Sequence, residues 1–296
     1  MYKIKHNKEL NILEFDNSDS KTYAKINLNE GASLQVFTFK GLEIIKDLAP
    51  LTYKDTYASA ILFPFANRIK DGSYTFNDKP FQFNINQIEE NNALHGLVYD
   101  KTFQILETNS DADSATVILE YTEEKESVGF PYSFSVTLKY TFNKNGLSLE
   151  FSAKNTSDKP FPFTLGWHPY FSCEDLHNST LYFDSTKKLI IGDRNIGTGI
   201  ENIEAVDGFQ IKDQQLDDCW ILNKGDVVYK TPNYQFELTS SVKNNFLQAY
   251  TPPSKNVIAI EPTTGVSDSF NNKIGLQTLA PNSKYNIIWT LKIDNN

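Results

Sequence analysis

Histidine is the side chain best suited to moving protons at neutral pH, because its unperturbed pKa lies near 6.5. This chain of 296 residues has four histidines, and His168 lies in the aromatic stretch TLGWHPYFSC. Pro169 restricts the residue before it to extended geometry. His168 is therefore either a hydrogen-bonded core residue or a group exposed in a pocket. In a pocket, Trp167 and Tyr170 would provide a flat apolar wall against a ligand.

Carboxylates are the next candidates for proton transfer. Glu261 follows the apolar run Val257–Ile260 and precedes Pro262, so we expect it to end a short buried strand. An isolated buried charge is costly. This carboxylate is therefore either solvated at the strand end or functional. Asp217 and Asp218 precede another apolar run, a pattern typical of a turn or cap, with a ligand contact as the alternative.

Four further polar positions are candidate ligand contacts. Arg68, preceded by Asn67, is either a surface residue or a guanidinium that fixes a ligand oxygen. His95 is followed by Gly96, whose missing side chain lets a backbone or a ligand approach closely; the alternative is a turn histidine near the surface. Gln248 lies in the stretch FLQAYTPPS, where an amide on a strand is commonly structural or exposed, with a polar ligand contact as the alternative.

The elements that must position these residues are predicted to be β-strands. In YSFSVTLKYTF every second residue from Tyr132 to Phe142 is apolar, and the alternation continues from Leu147 to Ala153 after the hairpin signal NKNG. Convincing helical periodicity is missing, and turn dipeptides recur throughout. We expect one all-β domain over residues 1–296, built as stacked antiparallel sheets, with a closed barrel as the alternative.

Composition excludes several classes of partner. The formal net charge is -9 and the pI is about 5.0, which disfavours binding to nucleic acid or to anionic membranes. Cys173 and Cys219 lie far apart and form no metal-binding or disulfide pattern. The N-terminal stretch has no apolar segment typical of a secretory signal, and no run reaches the roughly 18 apolar residues of a membrane span. We therefore expect a cytoplasmic protein.

Taken together and in order, these motifs resemble the aldose 1-epimerase (galactose mutarotase) family. The resemblance covers the chain from about Arg68 to the C-terminus, and the N-terminal segment fits edge strands. It implies an antiparallel β-supersandwich with an open cleft for a free sugar. The motifs that carry it are NRI with G-x-Y-x-F at Asn67–Phe76, LHG at Leu94–Gly96, HPYF at His168–Phe171, Asp217-x-x-Trp220 and IEP at Ile260–Pro262.

The resemblance implies interconversion of the α and β anomers of an aldose without a metal or an organic cofactor. Ring opening removes a proton from the C1 hydroxyl and adds one to the ring oxygen, so the site needs one base and one acid. The family's base matches Glu261 and its acid matches His168. Reference pKa values of about 4.3 and 6.5 suit those roles. The implied sugar contacts are Asn67, Arg68, His95, Asp217 and Gln248, with Trp167 or Tyr170 on the sugar face.

Departures from the family pattern indicate a divergent branch. Gly166-Trp167 precedes the histidine motif, where galactose mutarotases usually have Thr-Asn, and Ser172-Cys173 follows it in place of Asn-Leu. HGLVYDK is a reduced form of the family's HGG…GFDK motif, and after Glu261 SDSFN stands where the family usually has Pro-Asp-Ala-x-Asn. No basic cluster for a phosphate lies beside the matched residues, so a neutral monosaccharide is favoured.

Two other functions stay open at this stage. A non-catalytic sugar-binding or sensing protein would keep the aromatic wall and Arg68 without using the acid–base pair. A carbohydrate lyase or hydrolase would need an extended cleft for polymers. The sequence predicts a monomer or a homodimer without deciding between them.

Overall fold

The computed structural model describes residues 1–206, 208–243, 245–253 and 256–295, and their regular secondary structure is almost entirely β-strand. The helices are short: α1 (Tyr53–Thr56), α2 (Ser269–Asn272) and a 3-10 helix at Asp193–Asn195. The strands are β1 (Lys3–Asn7), β2 (Ile12–Asn17), β3 (Thr22–Asn27), β4 (Ser33–Phe39), β5 (Leu42–Ile45), β6 (Ile61–Leu62), β7 (Arg68–Lys70), β8 (Ser73–Phe76), β9 (Lys79–Gln82), β10 (Asn92–Leu94), β11 (Gln104–Ser110), β12 (Ser114–Glu123), β13 (Phe134–Asn143), β14 (Gly146–Asn155), β15 (Phe161–Phe163), β16 (Gly166–Trp167), β17 (Tyr170–Ser172), β18 (Thr180–Ile191), β19 (Gly197–Asn202), β20 (Phe209–Gln210), β21 (Asp217–Lys230), β22 (Tyr234–Ser240), β23 (Phe246–Tyr250), β24 (Val257–Thr263), β25 (Gln277–Leu279) and β26 (Lys284–Asn295).

The main strands form two antiparallel layers that share the long strand β21. The first layer has the order β1-β2-β3-β4-β5-β17-β24-β23-β21. The second has the order β11-β12-β13-β14-β26-β22-β21. Residues Asp217–Ile221 of β21 pair with β23 and residues Val227–Lys230 pair with β22, so the layers diverge along this strand. The fold is an antiparallel β-supersandwich.

The two layers pack face to face over an aromatic core. Phe15 and Phe37 of the first layer contact Phe142 of the second, with ring centroids 4.9 and 5.6 Å apart. The predicted alternation is confirmed in β13, where buried residues alternate with more exposed ones. Period-two alternation buries one face of a strand and hydrates the other, and the large apolar side chains on the buried faces stabilise the sandwich.

Local signals in the sequence match the observed elements with one exception. The NKNG signal forms the hairpin between β13 and β14, with Asn143 opposite Gly146. The prediction that Glu261 ends its strand is wrong, because β24 continues through Pro262 to Thr263 and is buried throughout. Proline lacks an N–H and is tolerated where no strand accepts from it. On the same edge of β24, Ile260 N donates to Pro169 O, which lies at the break between β16 and β17. Pro262 is two residues further along this edge and therefore also faces the break.

No helix in the described part of the chain is long and apolar enough to cross a membrane.

Candidate active site

Four neighbouring strands of the first layer place polar side chains on one face. Directly opposed residues of an antiparallel pair share a face, and alternate residues of a strand return to it. Glu261 of β24 lies opposite Gln248 of β23, and Tyr250 of β23 lies opposite Asp217 of β21. Tyr170 of β17 lies opposite Ala259, two residues before Glu261. Strand register therefore brings residues from positions 170 to 261 together in one cleft.

His168 joins this face from the break between β16 and β17. Its backbone is fixed on both sides by the loop after α1: His168 N donates to Ala60 O at 3.0 Å, and Ser59 N donates to His168 O at 2.7 Å. Its ring lies 5.1 Å from that of Tyr170, which is two residues further on the same face. The histidine motif is thus held by hydrogen bonds to a segment more than 100 residues earlier in the chain.

Trp167, expected on the apolar wall of the site, does not line the cleft. It precedes His168, and consecutive residues of a strand point to opposite faces. Its side chain is 1% exposed and stacks on Trp289 of the second layer, with ring centroids 6.4 Å apart. The tryptophan therefore stabilises the core behind the histidine.

Asn67, Arg68 and His95 enter the cleft from the small β7–β10 sheet. Arg68 begins β7 opposite Leu94 of β10, and His95 follows directly. His95 N donates to Asn67 O at 2.9 Å, and both residues have positive φ angles, 64° and 61°. Gly96 is also at positive φ, 77°, and a Cβ there would lie 2.3 Å from Phe63 O. The backbone of Phe63 therefore makes the close approach expected at Gly96, and this packing holds His95 in the cleft.

The centre of the cleft is the contact between His168 and Glu261. Nε2 of His168 lies 3.4 Å from Oε1 of Glu261, and the two side chains are only 7% and 4% exposed. The ring of His95 approaches that of His168 edge-on, with centroids 5.1 Å apart. The pair that the family resemblance implies as acid and base is in direct contact.

Burial acts on the pKa values of both partners. It lowers the pKa of His168 to about 4, with a smaller lowering from the Arg68 guanidinium. Burial also raises the pKa of Glu261 well above its usual value, and Asp217 adds to that rise while Arg68 opposes it. Desolvation disfavours the charged form of each group. These directions favour a proton on Glu261 rather than on His168, the reverse of what the reference pKa values suggested.

Of the two neighbouring aspartates, only Asp217 faces the cleft. Its Oδ1 accepts a hydrogen bond from Gln248 Nε2 at 2.7 Å, and its Oδ2 lies 3.8 Å from Arg68 Nη2. Asp218 is turned to the opposite face and pairs with Lys188 at 2.5 Å. Burial raises the pKa of Asp217, and the charge of Arg68 opposes that shift. Gln248 thus orients a cleft carboxylate and itself lines the cleft.

The cleft has a volume of about 190 Å³ and opens to solvent on one side. Its wall includes residues that the sequence analysis did not single out: Asp55, Thr56, Tyr57, Gln87, Leu94 and Tyr250. Tyr57 packs against His95 with ring centroids 4.9 Å apart and has a positive φ of 50°. Tyr57 and Tyr250, together with Tyr170, give the cleft the aromatic surface that Trp167 does not supply.

Volume alone does not mark the site. A cavity of about 350 Å³ lies beside Ser172 and Tyr234. The hydroxyls of these two residues already donate to backbone carbonyls: Tyr234 Oη to Ser172 O and Ser172 Oγ to Glu43 O. Across the described residues, no group of three or more His, Cys, Asp or Glu side chains is placed to hold a metal ion.

Comparison with solved structures identifies the class of fold. A galactose mutarotase-like protein from Clostridium acetobutylicum superposes with a TM-score of 0.87 at 22% identity, over 100% of this chain and 99% of the other. The uncharacterised protein YihR of Escherichia coli strain K12 is 22% identical over 277 residues, 88% of this chain and 87% of YihR. A maltose epimerase from Levilactobacillus brevis is 28% identical over 186 residues, 58% of this chain and 54% of that protein.

The family model described as aldose 1-epimerase matches residues 14–292. The chain belongs to the aldose 1-epimerase family, as the motif order predicted. Family membership supports an isomerase that acts on carbohydrates.

Proposed function

We propose that the protein is an aldose 1-epimerase that interconverts the α and β anomers of a free neutral aldose. The observation that carries the proposal is the 3.4 Å contact between His168 Nε2 and Glu261 Oε1 inside a cleft with room for a small ligand. Ring opening needs one group that takes the proton of the C1 hydroxyl and one that gives a proton to the ring oxygen, and a carboxylate and a histidine can supply these two roles. The test is anomer exchange of neutral aldoses with and without the protein.

The proposed reaction moves one proton at each of the two oxygens bonded to C1. Glu261 removes the proton of the C1 hydroxyl, and the C1–O5 bond breaks as C1 becomes a carbonyl. O5 takes the electron pair of that bond and a proton from His168. The aldehyde rotates about C1–C2, and the steps reverse on the other carbonyl face, which returns both protons to their starting groups.

A bound sugar gives each member of the pair a polar partner. The resting pair, with its proton on Glu261, and the reactive pair, with its proton on His168, contain the same number of protons. A C1 hydroxyl that donates to Glu261 and a ring oxygen that accepts from His168 each stabilise a charged form. Hydrogen bonding to the charged form of a group offsets its desolvation, and the nearby Arg68 favours the carboxylate.

The remaining cleft residues are proposed to bind the sugar. Arg68 and His95 stabilise charge near the ring oxygen and neighbouring hydroxyls. Asp217 accepts hydrogen bonds from hydroxyls remote from C1, and Asn67 and Gln248 support these contacts. The C–H face of the ring lies against the tyrosine wall.

Charge in the cleft favours a neutral substrate. Arg68 is the one cation among the described residues that line it, and Glu90 already pairs with that guanidinium at 3.0 Å. Asp55 and Asp217 also line the cleft. A phosphate or a carboxylate on the sugar would therefore meet more negative than positive charge.

Replacing Asp217 by Asn should separate its role from that of its neighbour. A hydrogen bond to a charged group contributes about 1.5–3 kcal/mol, so kcat/KM should fall roughly 10–150-fold. The matched change, Asp218→Asn, removes a carboxylate that pairs with Lys188 outside the cleft and should leave kcat/KM within about twofold. Steady-state kinetics on both variants measures this. Equal losses in the two variants would contradict the assignment of Asp217.

The pH dependence of kcat/KM should follow the buried pair. Below a pH of about 4, the lowered pKa of His168, the imidazole takes up a second proton while Glu261 keeps its own, and the pair then has no base. We therefore expect kcat/KM to stay constant from neutrality down to about pH 5 and to fall about tenfold per unit below pH 4. Circular dichroism at each pH controls for unfolding. An acid limb near pH 6.5 would contradict a desolvated histidine.

A further inference from the structure

Three side-chain acceptors orient the guanidinium of Arg68. Its Nε donates to Glu90 Oε2 at 3.0 Å and to Gln87 Oε1 at 3.2 Å, and its Nη1 donates to Asn67 Oδ1 at 2.9 Å. Its Nη2 lies 3.8 Å from Asp217 Oδ2, beyond hydrogen-bond distance. The guanidinium is planar, so acceptors on Nε and Nη1 fix the direction of Nη2, which is left for a ligand.

Glu90 is itself held by a turn about 100 residues later in the chain. Its Oε1 accepts from Asn195 Nδ2 at 2.9 Å, and its backbone carbonyl accepts from Arg194 Nη1 at 3.2 Å. Arg194 also pairs with Asp71 at 2.8 Å. Arg194 and Asn195 both have positive φ, 58° and 57°, so the turn is bent to present these side chains to the loop that carries Glu90.

We propose that Glu90 is a positioning residue for Arg68, and that the turn at Arg194 and Asn195 holds Glu90 in place. The proposal rests on the function proposed above, because it assigns Arg68 a role in binding and stabilising the sugar. Both oxygens of Glu90 are engaged, one by Arg68 and one by Asn195, so the carboxylate couples the cleft to this turn.

Without Glu90, the guanidinium has a competing partner. Asp217 Oδ2 is close enough to Nη2 that a small rotation forms a direct ion pair, which would occupy two groups meant for the sugar. A misplacement of about 1 Å can cost up to roughly 100-fold in rate. We expect Glu90→Ala to lower kcat/KM about 10–100-fold.

Matched variants separate positioning from a general loss of structure. Glu90→Gln keeps the shape and one oxygen acceptor, so its kcat/KM should lie between those of the native protein and Glu90→Ala. Glu89→Ala removes the exposed neighbour on the same loop and should leave kcat/KM within about twofold. Thermal unfolding of each variant shows whether the fold is retained. Wild-type kcat/KM in a folded Glu90→Ala variant would overturn the proposal.

A double-mutant cycle with Arg68→Lys tests whether Glu90 acts through Arg68. Lysine keeps the charge but has no Nε–H fork for Glu90 to orient. If Glu90 acts only by positioning Arg68, Glu90→Ala should cost less than about twofold in the Arg68→Lys background. A full 10–100-fold loss in that background would overturn the proposal.

A second double-mutant cycle measures sugar affinity and does not need catalysis. Titration calorimetry with a neutral aldose is carried out on the native protein, Glu90→Ala, Arg68→Lys and the double variant. If the native protein binds the sugar but does not speed anomer exchange, the proposed function fails while the affinity cycle still decides the role of Glu90. Additive affinity losses would reject the positioning role, and non-additive losses would support it.

Discussion

Glu261→Gln is expected to lower kcat about 10²–10⁴-fold, the range over which one general acid or base contributes. The amide has nearly the shape of the carboxyl but cannot take the proton of the C1 hydroxyl. Glu261 is 4% exposed, and burial raises its pKa, so the folded state favours the protonated carboxyl whereas the unfolded chain ionises it at neutral pH; the uncharged amide avoids that cost. The melting temperature should therefore be equal to that of the native protein or higher. Steady-state kinetics and calorimetry measure the two effects.

Glu204→Gln is the control, because it makes the same change at an exposed site outside the cleft and should alter neither quantity. A fully active Glu261→Gln variant would show that another group removes the proton. A large drop in melting temperature would show that the carboxylate is structural.

His168→Gln is expected to lower kcat over the same range, about 10²–10⁴-fold, with a smaller change in KM. Glutamine places an amide N–H near the position of Nε2, so it keeps a hydrogen-bond donor, but it cannot release a proton to the ring oxygen. The backbone contacts of His168 with Ser59 and Ala60 do not involve the side chain and should persist. Kinetics on the purified variant measures the loss.

The chain offers a matched control for this substitution. His177 Nδ1 lies 3.1 Å from Asp213 Oδ1 at the surface, with a side chain that is 54% exposed, so it is a histidine–carboxylate contact without the desolvation of the cleft. His177→Gln should leave kcat unchanged.

In the double variant of His168 and Glu261 the losses should not multiply, because the two groups act as a unit. Multiplied losses would indicate independent roles.

The sequence predicted the fold because its dominant signal is local. Apolar residues alternate over whole strands, as in β13, and alternation with turn dipeptides decides the class of fold without long-range information. The pairing order is not local. The sharing of β21 between two layers depends on contacts between distant segments, and only the family resemblance implied the supersandwich.

The residues of the candidate site that lie in recognisable motifs could be predicted from the sequence. Asn67, Arg68, His95, His168, Tyr170, Asp217, Gln248 and Glu261 all line the cleft. Trp167 does not, and strand alternation excludes it once His168 is assigned to the cleft. The prediction that β24 ends at Glu261 is wrong because proline usually interrupts a strand, whereas here the neighbouring strand is interrupted instead.

Other residues of the site left no signal in the sequence. Tyr57 follows a four-residue helix capped by Thr52 and Asp55, and it reaches the cleft only because its loop is hydrogen-bonded to the backbone of His168. Glu90 lies in a polar loop, and its role depends on a turn about 100 residues away. Such contacts depend on tertiary structure, so periodicity and spacing cannot indicate them.

The central claim is most directly tested by exchange NMR on α and β anomers of neutral aldoses at equilibrium, which measures interconversion without a coupled assay. The account predicts an exchange rate that rises in proportion to protein concentration for at least one sugar, and that returns to the spontaneous rate with Glu261→Gln. Spontaneous rates for every aldose of the panel at all concentrations of the folded native protein would contradict it.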